Sequence, residues 1–270
     1  MNTSLVLNEL KGTTAIITLN RPERRNALSR GLIERLSDAI EVAGRDSDVR
    51  CVILTGAGAV FCAGMDLKES ASKTASISHS EESLLVANAQ AIADLIDLVH
   101  KLPKPTIAAL NGDAYAGGAG LALACDFVIA SDRAKLGYPE VRRGLVASIV
   151  LHDLIRQAGD RRARRLLLGG NPVSADEAYS WGLYHEITSV DLLLERALEL
   201  GRSLAECGPR ALATTKRLLD ESLFRPATLR GAAAISAAVR VSDEAIEGIA
   251  AFLEKRPPNW IPQGDRDSET

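Results

Sequence analysis

The sequence predicts an α/β fold that gives way to a helical C-terminal region. Short strand-like apolar runs alternate with segments of helical period up to about residue 190. From Leu192 onward the pattern is wholly helical, with Pro209 and Pro226 dividing it into about three segments. The 270 residues are 46% hydrophobic and 25% charged, a balance that suits a folded core. Aromatic residues contribute only 4%, so that core must be packed mainly with Leu, Ile, Val and Ala.

The elements follow in order. Leu5–Leu10 and Ala15–Leu19 alternate on either side of Lys11-Gly12-Thr13, the pattern of a β-hairpin. Asn20-Arg21-Pro22 breaks the second strand. Ser29 then caps a helix running through Gly44, whose apolar positions Leu32, Ile33, Leu36, Ile40 and Ala43 share one face. Cys51–Thr55 reads as a buried strand ending in Gly56-Ala57-Gly58. Residues 70–80, rich in Ser and Ala, read as a mobile loop able to tune specificity. A long helix from about Glu81 to Lys101 is stopped by Pro103 and Pro105. Thr106–Leu110 is a strand, Ala116–Cys125 a helix of small residues, Asp126–Ala130 a strand and Lys135–Tyr138 a short extended piece. Strand-strand-helix units recur loosely without an exact repeat.

Composition excludes several classes of function. A net charge of −3 does not suit a general nucleic-acid binder. The four cysteines, Cys51, Cys62, Cys125 and Cys207, form no Cys-x-x-Cys pair and lie in or beside apolar stretches, so they read as buried reduced thiols. Neither they nor the four histidines show metal-ligand spacing, and no metal is expected. Met1–Leu10 lacks a signal-peptide pattern, and no uninterrupted apolar run approaches the roughly 20 residues of a membrane span. A cytoplasmic location without membrane attachment is the expectation.

Three segments are candidates for chemistry. In Gly112–Gly120 a strand enters a glycine-rich turn and a helix leaves it. Free N–H groups there would hold a phosphate or an oxyanion, although tight packing against a sheet explains the same glycines. Phe61–Leu67 places small residues after a strand and offers a second donor loop. Gly137-Tyr138-Pro139-Glu140 carries a carboxylate beside apolar neighbours, either an acid/base of raised pKa or a surface loop cap. Gly56-x-Gly58 fails as a dinucleotide fingerprint because Phe61 replaces the third glycine. Ser148 and His152 sit four apart on an expected helix but lack a nucleophile elbow, and adjacent His152 and Asp153 face different sides. The Arg161–Arg165 run reads as a solvated helix face or subunit contact, and Lys68, Lys101 and Lys104 by themselves as surface charges.

Taken together, NRPERRNAL (Asn20–Leu28), VILTGAGAVFCAGMDL (Val52–Leu67), KPTIAALNGDAYAGGAGLALACD (Lys104–Asp126), LGYPEVRRGL (Leu136–Leu145), SADEAYSWGL (Ser174–Leu183) and AFLEKRPPNW (Ala251–Trp260) resemble the crotonase (enoyl-CoA hydratase/isomerase) superfamily. The order and spacing are specific to the superfamily and much less so within it. The resemblance implies a spiral of ββα units over residues 1–200 carrying the acyl-CoA site. It also implies a helical region over 201–270 that assembles homotrimers, often paired into hexamers. It assigns the backbone N–H groups of Met65 and Gly117 to a thioester oxyanion hole. Arg24, Arg25, Ala27, Ala63, Asp66, Leu67 and Lys68 would lie along coenzyme A, Lys68 meeting the nucleotide phosphates. Lys255 would reach the coenzyme of a neighbouring subunit. Coenzyme A is then part of the substrate, and no separate cofactor is implied.

One departure bears on the reaction. Hydratases of this family resemble one another in carrying two glutamates, one of which matches Glu140. The other falls at Gly120, which has no side chain. The resemblance therefore implies enolate chemistry with Glu140 as the one acid/base and favours enoyl-CoA isomerisation, unless Asp113 or the 65–80 loop supplies the missing group. Hydration of a 2-enoyl-CoA and a degenerate acyl-CoA-binding or scaffold protein are the alternatives. RNA binding, linked to some family members, has little support in an acidic chain poor in aromatics.

Overall fold

The structure, a computed structural model, describes residues 4–70, 79–224 and 242–261. Strands β1 (Val6–Lys11) and β2 (Thr14–Leu19) form the expected hairpin, paired from Val6 with Leu19 to Lys11 with Thr14. Ser29 accepts a hydrogen bond from Leu32 N at 3.2 Å and starts α1 (Arg30–Arg45), which buries the expected apolar stripe together with Ala39. Strand β3 (Cys51–Gly56) follows, then β4 (Val60–Cys62), α2 (Leu67–Ser70) and α3 (His79–Lys101). The loop expected at 70–80 lies largely in 71–78, outside the described residues. Next come β5 (Thr106–Leu110), β6 (Asp113–Tyr115) and α4 (Gly117–Leu123). Strands β7 (Phe127–Ser131) and β8 (Leu136–Gly137) lead to a 3₁₀ turn at Glu140–Arg143 and α5 (Leu151–Ala158).

The loose recurrence seen in the sequence is thus a regular one. After the hairpin and α1, three successive strand-strand-helix turns place their first strand in one sheet and their second in another. The large sheet has the order β1-β2-β3-β5-β7-β9 and the small one β4-β6-β8. Beyond the hairpin the described strands pair only in parallel, which each helical crossover requires, and a lone antiparallel bridge joins Leu136 to Val173. Strand β9 (Glu186–Thr188) follows α6 (Asp160–Gly169) and α7 (Ala175–Ser180).

Parallel strands covered on both sides need apolar residues on both faces. Ile17, Leu19, Val52, Leu54, Ala108 and Leu110 face the main core with α1, α3 and α4. Ile16, Cys51, Ile53, Ile107 and Ile129 form a second layer, covered by Leu193 and Ala197 of α8 (Leu193–Ala205). Helix α8 therefore runs through residue 200 while packed on the sheet. Helices α9 (Pro209–Phe224) and α10 (Asp243–Glu254) complete the described chain.

Three expectations change. Cys207 is exposed, while Cys51, Cys62 and Cys125 are buried, because Cys207 follows the last turn of α8 rather than sitting in a strand or core helix. Ser148 is not on the helix of His152: it lies in the turn before α5, its carbonyl accepting from Leu151 N. Helix α3 is long and apolar enough between Ser83 and Lys101 to cross a membrane by length and composition. Ile92, Leu95, Ile96 and Val99 are instead buried in the main core, and Asp94 and Asp97 bond to Gln90 and Lys101.

Candidate active site

The site grows from the loops at the ends of the small sheet. After β2 the chain turns through Arg25 and Asn26, both at positive φ (51° and 52°). Asn26 is fully buried and stabilises this turn: its Oδ1 accepts from Arg21 N, and its Nδ2 donates to Ala57 O and Val60 O. Ala63 N donates to Arg25 O, so the turn is tied to the end of β4. A second tie is the ion pair between Arg21 and Asp66, at 3.1 Å and largely buried on both sides. The other oxygen of Asp66 accepts from Lys68 N and caps α2.

Met65 pairs with Leu28 in an isolated parallel bridge. Leu28 N donates to Gly64 O and Asp66 N donates to Leu28 O, so both neighbours of Met65 face Leu28. Backbone direction alternates along an extended segment, and the Met65 N–H therefore points to the opposite side. Gly64, at φ 82°, packs against the start of α4: a Cβ there would lie 2.6 Å from Ala116 Cβ and 3.2 Å from Gly117 N. Gly117 is the first residue of α4, where no intrahelical acceptor exists for its N–H. The Met65 and Gly117 segments, about 50 residues apart in sequence, are thus brought close together.

Glu140 completes the site. It follows Pro139 at the head of the 3₁₀ turn, above the fully buried Tyr138. Its Oε2 is buried and has no hydrogen-bond partner among the described residues. Burial holds its pKa above the usual carboxylate range, partly offset by its own backbone N–H and by nearby Arg143. A carboxyl of raised pKa with one oxygen free in a cleft can take a proton and return it.

A cleft of about 990 Å³ joins these groups. Of the residues the sequence singled out, Arg24, Arg25, Ala27, Ala63, Met65, Asp66, Leu67, Lys68, Gly117 and Glu140 all line it. Lys255 does not: it closes α10 in the left-handed conformation, exposed and away from the cleft of its own chain. Asp113, considered as a second acid, is not on the cleft wall either. Its two oxygens accept from Tyr115 O–H and Lys135 N. The remaining acidic residues of the wall are Glu23, which is exposed, and Asp66, which is committed to Arg21.

Asp153 pairs with His100 Nε2 at 3.0 Å, and Ser148 lies in the turn before the helix that carries His152. The arginine run is structural: Arg164 pairs with Asp160, Arg165 pairs with Glu177, and Arg162 and Arg165 stack on Trp181. Among the described residues no cluster of His, Cys, Asp and Glu could hold a metal.

A family model described as enoyl-CoA hydratase/isomerase matches residues 9–263. The chain belongs to the enoyl-CoA hydratase/isomerase family. It is similar to a putative enoyl-CoA hydratase of Thermus thermophilus, 42% identical over 257 residues, covering 93% of this chain and 98% of that one. It is also similar to the 1,2-epoxyphenylacetyl-CoA isomerase of Escherichia coli, 33% identical over 264 residues and 94% and 97% of the two chains. The crystal structure of an enoyl-CoA hydratase from Bacillus anthracis superimposes with a TM-score of 0.86 at 33% identity, covering 94% of this chain and 98% of that one. The ββα spiral is therefore the crotonase fold, and the chain is an enzyme of this superfamily.

Within this family member, sequence reasoning missed Asn26, Arg142, Arg143 and Val150. Asn26 lies inside a motif already quoted, but its buried amide was invisible without its partners. Arg142 and Arg143 line the cleft beyond Glu140, Arg142 bonding to Gly170 O and Arg143 to Pro139 O. Val150 carried no signal of its own.

Proposed function

We propose that the chain processes an acyl-CoA thioester by enolate chemistry with one acid/base, and that it isomerises a 3-enoyl-CoA. The observation that carries this reading is Glu140: a half-buried carboxyl whose Oε2 is buried without a hydrogen-bond partner, in the same cleft as Met65 and Gly117, with no second free buried acid among the described wall residues. The thioester oxygen accepts from both N–H groups. Glu140 takes a proton from C2, the negative charge spreads into the oxygen held by those donors, and Glu140 returns the proton to C4. The double bond moves from C3–C4 to C2–C3, and atoms and charge balance without a co-reactant. Losing one oxyanion donor costs about two to three orders of magnitude in rate.

Arg24, Arg25 and Lys68 give the mouth of the cleft a positive edge suited to the coenzyme A phosphates. Coenzyme A arrives as part of the substrate. The exposed Phe252 and Leu253 of α10 support assembly into a homotrimer or hexamer, in which Lys255 would serve a neighbouring site. A cytoplasmic location remains part of this proposal.

A second reading, hydration of a 2-enoyl-CoA, is favoured by relatives named as hydratases, including that of Thermus thermophilus. Incubation in deuterated water with 2-enoyl-, 3-enoyl- and saturated acyl-CoA thioesters separates the two. Double-bond migration or deuterium exchange that disappears in Glu140→Gln is the expected outcome. Gain of water on the 2-enoyl substrate establishes hydration instead. Full activity of Glu140→Gln ends the assignment of Glu140.

A further inference from the structure

We infer that Val150 selects the reaction: its side chain fills the space above Gly120 and makes that wall of the cleft apolar. This rests on the one-base reading above and extends it to a second residue. Gly120 lies three positions after Gly117 on α4, which puts both on one side of the helix. A Cβ built on Gly120 would lie 2.4 Å from Val150 Cγ1 and 3.1 Å from Ile96 Cδ1. Any side chain at position 120 must therefore displace Val150. Gly120 is small because Val150 occupies its room, and the two positions form one packing unit.

Val150 is 5% exposed and ends the turn before α5, so the backbone holds it in place. It lines the cleft beside Ile149, and Ile92 continues the same apolar surface against Gly117. An ordered water needs about two to four polar partners. The Val150 and Ile96 side chains that cover Gly120 offer none. With no water held on that wall, the enolate is reprotonated at carbon by Glu140 and addition of water is suppressed. The nearby polar side chain of the wall, Ser148, is exposed rather than set above Gly120.

The test compares four proteins on 2-enoyl- and 3-enoyl-CoA: the wild type, Val150→Gly, Gly120→Glu, and Gly120→Glu/Val150→Gly. Hydration and isomerisation products are separated by mass. The double variant is expected to raise the ratio of hydration to isomerisation by about tenfold or more, the scale on which a few methyl groups discriminate in an apolar pocket. Gly120→Glu alone is expected to lose both activities through the clash. An unchanged ratio in a folded double variant overturns the inference. Wild type that hydrates but does not isomerise overturns the one-base reading instead, and is visible before any variant is made.

Should the glutamate variants not fold, a stability cycle decides. Gly120→Ala is expected to lower the melting temperature in the wild type and to lower it much less beside Val150→Ala. Additive losses would show that the two positions do not share space and would end the inference.

Discussion

Burial of the Glu140 side chain disfavours its ionised form, so the folded protein holds that proton more tightly than the unfolded chain does. Below the ordinary glutamate value of 4.5 both states are protonated and the group is neutral for stability. As pH rises through that value the unfolded chain ionises first, and native stability falls until the folded carboxyl ionises as well. Gln keeps the shape without the charge. Glu140→Gln is therefore expected to melt at a higher temperature than wild type at pH 7, with the gap closing as the pH drops below about 4. An equal gap at both pH values, measured by thermal melts, would show that desolvation of the carboxylate is not its source. Glu140 was legible because Tyr138, Pro139 and the acid are neighbours in sequence. Asn26 and Val150 were not, because each acts on atoms more than 25 residues away, on Ala57 and Val60 in one case and on Gly120 in the other.

Single elements differ in how much of themselves they announce. The hairpin, α1 and strands β3, β5 and β7 carry their own period, caps or apolar run, and their bounds in the structure fall within a few residues of expectation. Strands β4, β6 and β9 span three residues each, too short for alternation to register. Their pairing comes from distant partners: β6 sits between β4 and β8, and β9 closes on β7. The β7–β9 edge also carries a titratable link. Val128 N donates to His185 Nδ1 at 3.0 Å, while His185 N donates to Val128 O. Burial lowers the His185 pKa from its usual 6.5, so the folded state favours the neutral ring that accepts this bond. Because the folded value is the depressed one, the stabilisation is whole above 6.5 and is lost as pH falls through the folded value. The hydrogen-exchange protection of Val128 and Ile129, taken relative to the intrinsic rate at each pH, is expected to fall on acidification below that point, and His185→Asn, which accepts without titrating, to flatten the change. Protection that falls equally in both proteins would place its cause elsewhere.

At the scale of the molecule, the sequence separates a mixed region from a helical one, but it does not reveal how firmly the helices are held. Lys216 of α9 reaches into the core with its Nζ 2.7 Å from Asp126 and within 3.3 Å of Val99 O and Lys104 O. Asp126 also accepts from Thr106 N and Thr106 Oγ1. One lysine thus joins α9 to the end of α3 and to the start of β5 and β7. Lys216→Ala is expected to cost about 2 kcal/mol, the scale of hydrogen bonds to a charged group, read from a denaturant midpoint at constant slope. An unchanged midpoint would mean that α9 is held by its apolar face alone. Such ties brace the frame from outside, whereas the Met65 and Gly117 segments are spaced from within. A Cβ at Gly64 would run into the Ala116 side chain, Tyr115 O and Gly117 N, so the Met65 and Gly117 segments approach more closely than any side chain at position 64 would allow. If these are the donors, their spacing follows from backbone packing, as the opening of a caliper follows from its setting. Side chains around the rim can change what is held, while the width of the grip stays where the backbone put it.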